Sequence, residues 1–78
     1  MPLALLGVGE KGKITQLTGH DRVRQYLSEM GFILGRGIEI MQQSFGSGLI
    51  VRLEGKRITL DRKMACHIHV DLEEGDAR

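Results

Sequence analysis

Cysteine is nearly absent from this chain, and Cys66 alone allows neither an internal disulfide nor a cysteine-rich zinc site. Such usage fits a reducing compartment. Tryptophan is missing, and one tyrosine with two phenylalanines leaves little aromatic surface for stacking nucleic-acid bases or lining a proline-rich-peptide groove. Neither sign of charge prevails: 11 Lys and Arg against 10 Asp and Glu give a net charge of +1. No global field then steers the chain to nucleic acid or to a membrane, and any such attraction has to come from a local patch. No stretch approaches the ~18–20 consecutive apolar residues of a membrane span. The opening MPLALLGVG lacks the basic start and the length of a signal peptide, so a cytosolic location is expected and membrane insertion is not. Catalytic signatures are lacking too. There is no phosphate loop, no G-x-S-x-G and no paired carboxylates in a plausible cleft, so no enzyme is predicted.

What remains is one small domain. Its 78 residues, 41% hydrophobic and 27% charged, suit a soluble globular chain whose elements all share one core. The stretch His20–Met41 organises it. Val23, Tyr26, Leu27 and Met30 fall at i, i+3, i+4 and i+7, one apolar stripe of a helix. Asp21 is placed to cap the helix start. Gly31 suits the left-handed position past its end, with Phe32 folded back against Leu27. Gly35 suits the φ > 0 position of a type II turn over Ile33–Arg36, and Ile38 and Ile40 then share one strand face with Glu39 on the other.

The flanking elements read as strands. Met1–Leu6 is expected to plug an end of the core, and Glu10–Thr18 reads as a strand with a bulge at Gly12. Leu49–Leu60 reads as a hairpin turning at Gly55-Lys56, type II′, with Leu53 across from Ile58, Val51 from Leu60 and Glu54 from Arg57. Asp61–Ala65 is a capped turn. Cys66–Leu72 reads as the last strand, with Cys66, Ile68 and Val70 inward as small or aliphatic core residues. Residues 73–78 read as an acidic frayed tail, leaving 1–72 as the domain. Five short strands and one helix, lying between the first and second strands, cannot build two useful sheets. A small, partly open β-barrel with the helix over one end follows.

The run Leu27-x-x-Met30-Gly31-Phe32-x-x-Gly35-x-x-Ile38-x-Ile40 resembles the signature of the ferrous iron transport protein A (FeoA) family. Gly55-x-x-Ile58-x-Leu60 followed by Ala65-x-x-Ile68-x-Val70 resembles its second half, and Leu5, Leu6 and Gly9 suit its beginning. Leu34 departs from the pattern, standing where the family often has proline before the turn glycine. The resemblance implies an SH3-like five-stranded barrel and a non-enzymatic cytosolic accessory role. The implied partner is the membrane ferrous iron transporter with its cytosolic GTPase domain. A related barrel closes metal-dependent repressors similar to the diphtheria toxin repressor, so a metal-sensing or nucleic-acid-contacting regulatory barrel is the alternative. The matching residues are core and turn positions, and they carry over fold rather than a site.

Candidate sites therefore come from residues that point outward. His67, His69 and Asp71 alternate on one strand face, and an H-x-H pair with a following carboxylate is chemically able to hold Fe2+ or Zn2+ weakly. Alternation alone equally yields three solvated polar residues, and no cofactor is required. Phe45 on the SFGSG loop with Arg52, Lys56 and Arg57 on the hairpin combines an aromatic with cations, the composition of an interface hot spot. A plain solvated face is the alternative there. Exposed barrel edges also leave weak self-association open.

Overall fold

The computed structural model describes residues 1–44, 46 and 48–73. A 3-10 turn at Leu3–Leu5 leads into β1 (Lys11–Leu17), α1 (Asp21–Met30), β2 (Gly37–Ser44), β3 (Gly48–Leu53), β4 (Lys56–Leu60), the single turn α2 (Arg62–Ala65) and β5 (Ile68–Leu72). The strands form one antiparallel sheet in the order β4-β3-β2-β1-β5. β4 and β5 are its two ends and do not pair, so the barrel is not fully closed. Two register shifts curl the sheet, between Ile14 and Gln16 against β5 and between Ile40 and Gln42 against β3. The predicted bulge at Gly12 thus lies further on, at Thr15. Gly12 itself is paired and buried, and a Cβ there would stand 2.9 Å from the Asp71 carbonyl oxygen.

The helix stop forms as its residues dictate. Gly31 takes φ 111°, its N–H donates to the Ser28 carbonyl and the Phe32 N–H to the Leu27 carbonyl, each at 3.0 Å. Those are the two bonds of a Schellman ending. Gly35 takes φ 90°, and the Arg36 N–H donates to the Ile33 carbonyl across the turn. The start of the helix differs from expectation. His20 holds the cap position without a side-chain bond, and Asp21 lies inside the first turn, where its carboxylate pairs with Arg24. A first-turn carboxylate still favours the helix through its dipole.

One core contains Leu3, Leu6, Ile14, Leu27, Phe32, Ile38, Ile40, Leu49, Val51, Leu53, Leu60, Ala65, Ile68 and Val70. The helical stripe enters it only in part. Leu27 is fully buried, Val23 and Met30 half so, and Tyr26 is 50% exposed. A ten-residue helix laid over a barrel end seats one residue at its line of closest approach and leaves the stripe's margin in water. Tyr26→Ala should accordingly shift stability by no more than ~0.5 kcal/mol, as surface changes do. A large fall in melting temperature would place that ring in the core after all.

Candidate partner-binding face

The second hairpin turns one residue earlier than its pattern implies. Glu54 and Gly55 occupy the turn, both with positive φ (53° and 78°), so the turn is type I′ rather than II′. Leu53 pairs with Lys56, Val51 with Ile58 and Leu49 with Leu60. This displaces each partner by two residues, which keeps every side chain on its expected face. Leu53 and Ile58 are diagonal neighbours rather than opposites. The ladder therefore ends at Leu60, and Asp61 is free to cap α2 by accepting from the Met64 N–H at 2.8 Å. The expected register would have drawn Arg62 into the strand opposite Leu49.

The consequence for the outer face is electrostatic. Arg52 lies directly across from Arg57, which the expected register had set across from Glu54. On its other side Arg52 faces Glu39, which in turn faces Lys11. A single row thus crosses β1 to β4 as Lys11, Glu39, Arg52 and Arg57, all exposed except the half-buried Glu39. The Arg52 guanidinium stands 3.9 Å from the Glu39 carboxylate, a long and partly exposed pair worth little. Like charges directly opposite on a sheet oppose folding, so the Arg52–Arg57 pair has no evident structural purpose. Lys56 is exposed but lies across from Leu53, on the strand face of Ile58 and Leu60, so the structure does not bring it into the outer row with Arg52 and Arg57. Beside that row an open groove of about 220 Å³ is lined by Lys11, Glu39, Arg52, Glu54 and Glu73, among others. Glu54 also lies 3.6 Å from Arg36. Lys11 and Glu39 escaped the sequence reading because their membership depends on inter-strand register; the outward position of Glu39 was the available clue. Phe45, the aromatic member of the candidate set, lies outside the described residues.

His67, His69 and Asp71 alternate with buried Ile68 and Val70 as the pattern implies, though β5 itself starts later. His67 precedes β5, its Nδ1 lies 3.3 Å from the Thr18 hydroxyl, and its carbonyl accepts from the Thr18 N–H. His69 is paired with Gln16 and bridged by Pro2, and Asp71 is exposed opposite Lys13. Among the described residues no group of three or more His, Cys, Asp or Glu side chains is placed to hold a metal ion. These residues therefore do not fit a resident three-ligand centre. Cys66 also departs from expectation: it is exposed and ends α2 in the right-handed helical region, its N–H donating to the Arg62 carbonyl. The chain stays in a turn through Cys66 and His67 after α2, and β5 begins only at Ile68.

Among the described residues no helix is long and apolar enough to cross a membrane. A five-stranded meander whose last strand returns beside the first, with one helix over an open end and an outward cationic row, is an SH3-like barrel domain. The FeoA domain family matches residues 1–72. The chain belongs to that family, which places it in ferrous iron transport. The crystal structure of an iron uptake regulatory protein (FeoA) matches with TM-score 0.88 at 26% identity, over 94% of this chain and 97% of that one. Stenotrophomonas maltophilia FeoA complexed with zinc, described as an SH3 domain protein and a candidate bacterial ferrous iron transport activating factor, matches with TM-score 0.80 at 22% identity, over 91% and 89%. A manganese-dependent transcriptional repressor in complex with manganese matches with TM-score 0.86 at 18% identity, over 94% of this chain and 36% of that one. At that identity the likeness is one of fold. No curated protein sequence matches the chain significantly.

Proposed function

We propose that the protein is a non-enzymatic cytosolic accessory factor that binds the membrane ferrous iron transporter, on its cytosolic GTPase region, and modulates uptake. Family membership supports the pathway, and the observation that carries the docking face is the like-charge pair Arg52–Arg57 on the outside of the hairpin. Charges held together against their mutual repulsion, on a face whose core-side residues are consumed by packing, are suited to an acidic partner surface. Phe45, which precedes the hairpin in the sequence, would supply the apolar anchor.

Arg57→Glu separates the two readings of this pair. It converts a repulsive cross-strand contact into an attractive one, so the isolated domain should melt no lower than wild type. Association with the purified transporter should slow and lose salt dependence. Phe45→Ala should weaken the complex by roughly 1–2 kcal/mol, near the usual hot-spot threshold. Unchanged binding by both variants in a surface-immobilised transporter assay would remove this face, and the exposed helix surface at Arg22, Gln25 and Glu29 would be tested next.

Metal enters only as a weak accessory ligand in this reading. With two imidazoles and no assembled third group, zinc or ferrous iron should shift the His67 and His69 ring resonances together, saturating only at metal concentrations far above that of the protein. His67→Ala should remove the effect. Tight, stoichiometric binding would instead make the protein a metal sensor.

A further inference from the structure

The two free ends of the sheet are treated unequally. The β5 edge is covered by the chain's own beginning: Pro2 bridges His69, and the Val70 N–H donates to the Met1 carbonyl at 2.8 Å. The β4 edge pairs with β3 on one side only, and no backbone group of Lys56–Leu60 bonds elsewhere among the described residues. In a two-residue hairpin the closing pair, Leu53 with Lys56, exchanges both main-chain bonds. Ile58 and Leu60 then also direct their N–H and C=O groups toward β3. Arg57 and Thr59 direct theirs away from it, and both residues are exposed. Two donors and two acceptors thus stand in strand geometry with no partner among the described residues.

We infer that β4 is a strand-addition site for an extended acidic segment of a partner protein, which lengthens the sheet by one strand. Charge selects this occupant. β4 carries Lys56 and Arg57 and no acidic residue, and Arg52 stands across from Arg57. A second copy paired through the same groups would bring both sets of cations to one short junction, which repulsion disfavours. Acidic side chains alternating along the added strand would meet Arg57 on the outer face. The intervening residues would adjoin the half-buried Ile58 on the inner face, so the segment alternates acidic with aliphatic residues. This rests on the reading above that the hairpin is the docking element, and adds the mode of docking and the chemistry of what docks.

The test uses a capped seven-residue peptide alternating glutamate with valine and threonine, titrated into the intact protein by NMR. Hydrogen exchange should slow at the Arg57 and Thr59 amides and stay unchanged at Ile58 and Leu60, which already bond within the sheet. The same peptide N-methylated at alternate positions, and a version with lysine for glutamate, should each bind about tenfold more weakly or worse, the effect of losing two main-chain bonds or the charge attraction. Thr59→Pro removes one outward donor, spares the ladder and keeps every cation; it should weaken the peptide comparably. Absence of binding, equal binding of the N-methylated peptide, or unaltered exchange at Arg57 and Thr59 at saturation would each overturn the inference. Peptide binding that the transporter does not displace would count against the transporter reading and leave the edge site standing.

Discussion

Phe32→Ala should cost about 3–5 kcal/mol, the usual range for removing a large core aromatic. Phe32 is fully buried and the largest such side chain in the core. It is also the residue whose N–H closes the helix stop on Leu27. Its ring therefore ties the end of α1 to the barrel interior at the point where the chain leaves the helix. Truncation leaves a cavity that backbone bonds on either side hold open, so collapse recovers little. A domain of this size has only ~4–12 kcal/mol of stability in all, at ~0.05–0.15 kcal/mol per residue. Thermal unfolding followed by circular dichroism should move down by at least ~12 °C, since each kcal/mol shifts a domain this small by about 4–8 °C. A shift of only a few degrees would mean that the ring is not packed as the structure has it.

Gly48→Ala is the second large effect, and it arises from backbone rather than core volume. Gly48 takes φ 97°, and a Cβ there would stand 2.2 Å from the Leu60 carbonyl oxygen and 3.0 Å from the Asp61 Cα. Neither neighbour is a flexible side chain able to turn aside. The left-handed conformation costs an L-residue ~1–2 kcal/mol, and forcing β3 and β4 apart adds about 1–3 kcal/mol. Denaturant titration should show a loss of about 2–5 kcal/mol with an unchanged slope. Because the clash lies at the Leu60 end of the hairpin, the Asp61 cap on α2 should loosen with it. Faster hydrogen exchange at the Met64 amide reports that directly. A variant as stable as wild type would show that β3 and β4 do not approach so closely.

The helix, its Gly31 stop, the Gly35 turn and the alternating strands were legible in the chain because each rests on contacts within a few residues. So was the outline of the core, since Leu27, Ile38, Ile40, Val51, Leu53, Leu60, Ile68 and Val70 follow from periodicity alone. Family membership was legible for the same reason: the shared residues are those turn and core positions. Three features were decided only in the folded molecule. Hairpin register depended on whether Glu54 would accept φ 53°, and periodicity is silent there because a two-residue displacement leaves every side chain on its face. Burial of Tyr26 and Cys66 depended on where a short helix met the barrel and where a helical turn gave way to strand, both set by packing against distant elements. The outer row of Lys11, Glu39, Arg52 and Arg57 joins residues from four strands. Sequence placed Glu39, Arg52 and Arg57 on outward faces, but only pairing across the sheet brought Lys11 into the row and set Arg52 against Arg57.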